Sequence, residues 1–205
     1  MSVGSVGGRG PRSGRPRGGL PRAVDVALAV LGLVFTSPLL ALGALAILVD
    51  SGGPVLYRQR RAGLGGAPFD LYKLRTMHPG ADPVGVGIPV LAGDPRVTRT
   101  GRVIRRLSLD ELPNLVNVLR GEMAIVGPRP TLPAQVERYT LHQRRRLDVK
   151  PGLTGWAQVN GRAGIPWEER IELDVWYVNH RSPALDLRIL LRSAWLLLSG
   201  RGLYG

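Results

Sequence analysis

The sequence contains no cysteine, and its three histidines lie far apart, at positions 78, 142 and 180. A chain without cysteine has no disulfide bond, no thiolate nucleophile and no zinc–thiolate site. The histidines also lack the spacing of metal-ligating pairs. Any chemistry must therefore depend on carboxylates, lysine, arginine or hydroxyl groups.

Acidic and aromatic residues are also scarce. Asp and Glu total 15 against 28 Lys and Arg, which gives a formal charge of +13 and a pI near 11.4, and aromatic residues make up 5% of the chain. Such a charge indicates an anionic partner, which is a nucleic acid, an acidic membrane surface or a phosphorylated substrate. Because the sequence has no helix-turn-helix, zinc-finger or aromatic-rich RNA-binding pattern, we expect no nucleic-acid partner.

The first 50 residues divide into a basic tail and an apolar segment. Residues 1–22 carry five arginines and no acid among Gly, Pro and Ser, so we expect a disordered basic tail. From Val26 to Val49 the chain is uncharged, and it is apolar apart from Thr36 and Ser37. This run is long enough to cross a bilayer, so residues 23–50 are predicted to be a membrane segment.

The middle of the membrane segment contains Ser37-Pro38, where proline removes a helix hydrogen bond and predicts a bend. Arginines flank the segment on both sides, so the positive-inside rule places both ends in the cytosol. A re-entrant helix hairpin, broken at Ser37-Pro38, satisfies this rule better than a kinked spanning helix, which stays the alternative. Asp25, at the edge of the segment, is expected to pair with Arg22 or a later basic residue.

Residues 51–205 are predicted to form a cytosolic catalytic domain, which makes the fold class α+β. Pro54–Gln59 and Phe69–Lys73 have strand character and a glycine-rich connection, which predicts a short β-hairpin. Residues 133–148 are predicted to form a polar helix. The last helix, residues 185–198, combines charges with a broad apolar face, a pattern typical of an amphipathic, interfacial helix. A helix buried in a soluble core is the alternative there.

A vicinal pair of acids, Asp110 and Glu111, is bracketed in the chain by arginines, an arrangement suited to phosphate. Ser108 and Glu111 also match a capping box, although Asp110 is the better N-cap because Pro113 then falls in the first helical turn. Capping and chemistry are compatible, since a helix N-terminus holds a carboxylate ionised and attracts phosphate. An ionised, positioned carboxylate is what an aspartyl-phosphate mechanism requires.

Three further stretches carry candidate binding residues. Lys73 and Arg75 alternate onto one strand face as a cation pair, with an ordinary solvated face as the alternative. Prolines flank Arg129 and fix it for bidentate phosphate binding, unless the turn is only structural. Residues 151–162 are rich in glycine around Trp156, which suits a nucleotide or sugar, or else a core tryptophan.

Taken together, these motifs resemble the monotopic phosphoglycosyl transferases, also called the bacterial sugar transferase family, in its minimal catalytic form. Each motif is weak alone, but their ordered set is specific. The motifs are Ser37-Pro38, Lys73-x-Arg75-Thr76-Met77, Ser108-Leu109-Asp110-Glu111-Leu112-Pro113, Val126-Gly127-Pro128-Arg129-Pro130 and the stretch from Pro151 to Arg162.

The resemblance implies a two-step transfer from a nucleotide diphosphate sugar, usually a UDP-sugar, to polyprenyl phosphate such as undecaprenyl phosphate. Asp110 would attack the sugar-bearing phosphate with release of UMP, and Mg²⁺ near Asp110 would offset charge repulsion. Glu111 would assist the attack of the acceptor. Arg105, Arg129 and Arg162 would hold phosphates or nucleotide.

The implied location is the cytoplasmic face of the bacterial inner membrane, in contact with membrane lipid, and the implied role is the first step of polysaccharide or glycoconjugate synthesis. A non-catalytic, cationic membrane-surface binding protein is the alternative function. The sequence leaves open which sugar is transferred and what the oligomeric state is.

Overall fold

The computed structural model describes residues 18–81, 93–161 and 165–199. They form one long N-terminal helix and a small mixed domain of short helices and strands. In chain order the elements are α1 (Arg22–Ser51), β1 (Leu56–Ala62), β2 (Pro68–Leu74), α2 (Arg99–Arg106), α3 (Asn114–Arg120), β3 (Ala124–Val126), α4 (Pro133–Val136), α5 (Leu141–Arg144), β4 (Gly152–Thr154), α6 (Trp156–Asn160), α7 (Trp167–His180) and α8 (Pro183–Leu198). Most of the predicted basic tail lies outside the described residues.

Helix α1 continues through Pro38 without interruption. Proline has no N–H, so the carbonyl of Val34, four residues earlier, loses its usual helical partner. The Ser37 hydroxyl donates to that same carbonyl at 2.8 Å and replaces the missing hydrogen bond. The predicted separation into two helices at Ser37-Pro38 is therefore not confirmed, and the membrane topology stays a prediction.

The surface of α1 is mostly apolar and exposed. Its most hydrophobic 18-residue window has a mean hydropathy of 2.2, and only 11% of that window is buried. Phe35, Leu42 and Val49 are 76%, 64% and 81% exposed. A core helix of a soluble protein is mostly buried, whereas this helix is long enough, at about 1.5 Å per residue, to cross a bilayer.

The small domain holds both ends of α1. At the N-terminal end, Asp25 is buried and accepts a hydrogen bond from the backbone N–H of Ile125 at 3.0 Å. At the C-terminal end, the Asp50 carboxylate accepts from the N–H of Thr100 at 2.9 Å. The expected pairing of Asp25 with Arg22 is wrong, because the Arg22 side chain instead donates to the carbonyl of Leu119.

The predicted β-hairpin is confirmed. β1 and β2 pair antiparallel, with Tyr57 opposite Lys73 and Arg61 opposite Phe69. β3 and β4 form a second, parallel pair in which Val126 lies opposite Thr154. The main core joins both sheets to α1, α3, α7 and α8, and its buried residues include Ala29, Phe69, Leu71, Leu115, Val118, Met123, Val126, Tyr177 and Ile189.

Two predicted helices differ from the structure. The single polar helix expected over residues 133–148 is wrong, since α4, α5 and a 3₁₀ turn at Arg145–Leu147 share this stretch. Thr140 begins α5 with a capping box, in which its hydroxyl accepts from Gln143 N–H and the Gln143 side chain accepts from Thr140 N–H. The last helix, α8, starts two residues before the predicted position, at Pro183, with Ser182 as its N-cap.

Candidate active site

The two vicinal acids lie on a short 3₁₀ turn, Leu109–Glu111, between α2 and α3. Ser108 enters this turn with a positive φ of 55°, and its side chain makes no capping hydrogen bond. Pro113 is the N-cap of α3 and has no side-chain capping bond either. Both capping interpretations are therefore wrong, because neither Ser108 nor Asp110 caps a helix, and the carboxylates are available for other contacts.

Glu111 is the anionic centre of the site. Its Oε1 atom lies 2.8 Å from Lys73 Nζ and 2.6 Å from Arg129 Nη2. Burial alone would raise the pKa of Glu111, but the charges of Arg129 and Lys73 outweigh burial and hold the pKa well below its ordinary value. Glu111 therefore stays ionised and brings together two of the cations predicted from sequence.

Asp110 has a different environment from its neighbour. No hydrogen bond to its carboxylate is found within the described ranges. Burial raises the pKa of Asp110 and the charge of Glu111 adds to the rise, while Lys73 and Arg105 oppose it. The expectation that a helix dipole holds this carboxylate ionised is not supported, since the opposing charges here are side-chain cations. Asp110 is the free carboxylate of the pair.

The turn that carries Arg129 is held through its carbonyl groups. Prolines on both sides of Arg129 donate no hydrogen bonds, so the turn depends on donors from other segments. Gly152 N–H donates to Pro128 O at 2.9 Å, Arg146 Nη2 to Arg129 O at 3.1 Å, and Arg61 Nη1 to Pro130 O at 3.1 Å. The rigid placement of Arg129 predicted from its flanking prolines thus has a tertiary basis.

Glycine is required where this turn meets β4. A Cβ atom on Gly127 would lie 2.4 Å from the carbonyl oxygen of Lys150, and one on Gly152 would lie 2.1 Å from the nitrogen of Gly127. Real Cβ atoms do not approach so closely, and backbone atoms do not move aside easily. The close approach of the two segments holds the Arg129 turn beside the rest of the site.

The other predicted binding residues are Arg105, Arg75 and Arg162. Arg105 donates from Nε to the Thr76 hydroxyl at 2.7 Å, and its charge acts on Asp110. Arg75 is buried, and its Nη2 atom donates to Ser51 O at 3.1 Å, so it caps the C-terminal end of α1. The structure does not bring Arg75 to the acidic pair, and its predicted phosphate contact stays a prediction. Arg162 lies outside the described residues.

A cleft beside Glu111 includes one basic residue that the sequence analysis did not select. Its lining contains Arg61, Lys73 and Arg129, together with residues of β2, α3 and β4. Arg61 and Lys73 lie on the same face of the hairpin, which the strand register shows and alternation alone does not. The outer face carries Arg60, which pairs with Asp70 at 3.1 Å.

Mg²⁺ has one free carboxylate ligand available in this site. Within the described parts of the chain, no three Asp, Glu or His side chains converge as a metal-binding group. Glu111 is engaged by two cations, whereas the Asp110 carboxylate has no hydrogen-bond partner among the described residues. Mg²⁺ is commonly bound through one or two carboxylates plus substrate phosphates, so a single carboxylate fits a metal that arrives with a phosphorylated substrate.

Comparison with known proteins gives consistent matches. The family model described as bacterial sugar transferase matches residues 17–200. An uncharacterized sugar transferase, EpsL of Bacillus subtilis (strain 168), is 46% identical over 90% of each chain. The UDP-glucose:undecaprenyl-phosphate glucose-1-phosphate transferase of Caulobacter vibrioides is 46% identical over 93% of this chain and 77% of that protein. The Escherichia coli (strain K12) transferase of the same name is 43% identical, but this chain covers only 38% of its length.

Proposed function

The chain belongs to the bacterial sugar transferase family, and we propose that it transfers a sugar-1-phosphate from a UDP-sugar to polyprenyl phosphate at a membrane. Two relatives at 43% and 46% identity are named for this reaction with UDP-glucose and undecaprenyl phosphate. The proposal rests on one observation, which is that the two adjacent carboxylates differ in their hydrogen bonds and ion pairs. Asp110 is free of hydrogen bonds from the described residues, while its neighbour Glu111 holds two phosphate-binding cations in place.

In the first step, an ionised oxygen of Asp110 attacks the phosphorus that bears the sugar. The P–O bond to the UMP moiety breaks, UMP leaves with the bonding electron pair, and an aspartyl phosphosugar remains. The reaction brings a carboxylate toward an anionic diphosphate, so charge must be offset at the phosphate. Lys73, Arg105 and Arg129 supply cations that lie close enough to act on the Asp110 carboxylate.

In the second step, a phosphate oxygen of the polyprenyl phosphate attacks the same phosphorus and Asp110 leaves as a carboxylate. The acceptor is already an anion near neutral pH and needs no strong base. Glu111 has a lowered pKa and ion pairs to Lys73 and Arg129, which makes it a weak base. These contacts support a role in positioning the two cations, beside the predicted assistance to the acceptor.

Mg²⁺ is proposed as the cofactor. When bound, it supplies positive charge that polarises phosphate oxygens and neutralises the leaving group. Asp110 is the protein residue that would hold it, with the remaining ligands from the substrate phosphates. The cations around Glu111 would then bind the phosphate oxygens that the metal leaves free.

We propose that α1 enters and leaves the membrane at the cytoplasmic face, which requires the continuous helix to bend at Ser37-Pro38. The small domain binds α1 at Asp25 and again at Asp50, near opposite ends of a 30-residue helix. A helix that simply spanned the bilayer would leave one end on the far side, out of reach of a cytosolic domain. On α8, Leu191, Trp195 and Leu198 are 65%, 54% and 89% exposed, which suits an interfacial helix.

Topology can be tested by thiol labelling, because the chain has no native cysteine. A cysteine introduced at Ser2 should react with an impermeant reagent only from the cytosolic side of sealed vesicles. A second cysteine, at the exposed Arg60, marks the small domain in the same experiment. Labelling of the two positions from opposite sides would refute the re-entrant placement.

The activity test is UMP release by detergent-solubilised protein with Mg²⁺, undecaprenyl phosphate and a panel of UDP-sugars. Release with one sugar, lost in Asp110→Asn and lost on removal of Mg²⁺ with EDTA, supports the reaction, the nucleophile and the metal. Equal release by the wild type and Asp110→Asn would refute the assigned nucleophile. If folded, lipid-bound protein released no UMP with any sugar of the panel, the result would favour the alternative of a cationic membrane-surface binding protein.

A further inference from the structure

Arg61 is a mostly buried cation whose hydrogen bonds go only to neutral acceptors. It lies near the end of β1, on the hairpin face that carries Lys73. Its Nε and Nη2 atoms both donate to the side-chain oxygen of Gln59, and its Nη1 atom donates to the carbonyl of Pro130 at 3.1 Å. The guanidinium therefore has a fixed orientation without an acidic partner in direct contact.

The neighbouring cations, Lys73 and Arg129, differ from Arg61 because each has an acidic partner. Lys73 and Arg129 are both paired with Glu111, whereas no carboxylate within the described ranges lies at ion-pair distance from Arg61. Burial lowers the pKa of Arg61 to about 10, and the nearby charge of Arg129 adds to this effect, while the more weakly acting charge of Glu111 opposes it. An anion entering the cleft would relieve the repulsion between the two guanidinium groups.

We propose that Arg61 binds a phosphate of the nucleotide diphosphate donor, as a third cation in the cleft beside Lys73 and Arg129. This inference rests on the proposed function and adds a substrate-binding residue to it. Arginine suits the position because it keeps its charge when partly buried, and because Nη1 and Nη2 each have a second N–H that can donate to a phosphate oxygen. Gln59 orients the group, which reduces the conformational entropy lost on binding.

The competing interpretation is that Arg61 only braces the turn that carries Arg129. Both roles predict weaker substrate binding when Arg61 is removed, so a single variant does not separate them. They differ in the background of an Arg129 variant. A brace for Arg129 has nothing left to position there, whereas a direct phosphate contact is still lost.

The binding experiment uses calorimetry on the full chain in detergent with Mg²⁺, and UDP, UMP and uridine as probes. Arg61→Gln should weaken UDP binding about tenfold or more, because a hydrogen-bonded charge is lost. Uridine binding should change less than about twofold, since uridine has no phosphate. The matched control is Arg60→Gln, an exposed arginine on the opposite hairpin face, which should leave UDP affinity within about twofold of the wild type.

The same titration is repeated in Arg129→Gln protein. Adding Arg61→Gln should weaken UDP binding by a further factor of about five or more. No further loss would overturn the proposal in favour of the bracing role. Unchanged UDP affinity in the single Arg61→Gln variant would also overturn it, while absence of UDP binding by the wild type would overturn the proposed function with it.

A measurement on unsubstituted protein covers the case in which Arg61→Gln fails to fold. Phenylglyoxal modifies unprotonated guanidine groups, and mass spectrometry locates the modified arginines. Saturating UDP with Mg²⁺ should slow modification of Arg61 at least fivefold and leave that of Arg60 unchanged. Equal modification of Arg61 with and without UDP would overturn the proposal.

Discussion

Replacing Glu111 with glutamine keeps the shape of the side chain and removes the charge that Lys73 and Arg129 share. Hydrogen bonds to charged groups contribute about 1.5–3 kcal/mol each, but Arg129 is half-exposed and its share is smaller. Loss of both positioned cations should therefore cost about 2–3 kcal/mol of transition-state stabilisation. This corresponds to a fall in kcat/KM of about 30- to 150-fold.

The same substitution should move the pH dependence in a defined direction. In the proposed reaction Asp110 must be ionised to attack, and its pKa is raised by burial and by the charge of Glu111. Wild-type activity is thus lost, as pH falls, at a higher pH than an ordinary aspartate would give. Glu111→Gln removes one cause of the rise and frees Lys73 to act on Asp110, so the acid limb should move to lower pH.

The assay is initial-rate UMP release between about pH 4 and 8, which brackets ordinary and raised carboxyl pKa values. Thermal unfolding in the same detergent accompanies it, and Tm should fall by no more than about 4 °C because partly exposed ion pairs add little stability. Asp70→Asn, which removes the exposed partner of Arg60, is the control. An acid limb that stays in place or moves to higher pH in Glu111→Gln would refute the electrostatic argument.

Substitutions at three further positions test the framework of the site. Ser108→Gly should keep activity and raise Tm slightly, because a positive φ costs a residue with a Cβ about 1–2 kcal/mol. Ser108→Val should lower both the activity and Tm. A valine variant more stable than the wild type would contradict this. Gly127→Ala should destabilise the fold by about 3 kcal/mol in urea unfolding, since the added Cβ would collide with the carbonyl oxygen of Lys150. An unfolding midpoint equal to that of the wild type would show that the Arg129 turn and β4 can move apart. Asp174→Asn should cost about 3–5 kcal/mol in the same assay by leaving Arg146 buried without its ion pair, whereas a loss below about 1 kcal/mol would contradict that reasoning.

Local patterns were sufficient to identify the acidic pair and two of its cations. Asp110-Glu111 stands out because acids are few in this sequence, and the prolines around Arg129 indicated a rigid turn. Alternation selected Lys73 as a cation on one strand face, and the structure places its Nζ atom 2.8 Å from Glu111 Oε1. These features depend only on residues that are close together in the sequence, so they can be recognised without the structure.

Tertiary contacts account for the residues that local patterns placed wrongly or missed. Alternation put Arg75 on the face of Lys73, but β2 ends at Leu74 and the next side chain turns toward the end of α1. Arg61 was missed because its face depends on where β1 pairs with β2, and alternation within one strand does not determine that register. The capping box Thr140-x-x-Gln143 was a usable signal that the predicted polar helix is interrupted.

Helix α1 is hydrogen-bonded to segments that lead to both halves of the candidate site. Near its N-terminus, Asp25 binds the backbone of Ile125 in β3, the strand that leads directly into the Arg129 turn. At its C-terminus, Arg75 binds Ser51, and the adjacent Thr76 accepts a hydrogen bond from Arg105 on the helix that leads to Asp110. The proposed nucleophile, Asp110, and the proposed phosphate-binding residue, Arg129, are therefore each linked to a different end of one apolar helix. In the proposed reaction the acceptor phosphate is carried by a lipid, so holding both halves to the membrane helix would fix the site at the depth where that phosphate lies.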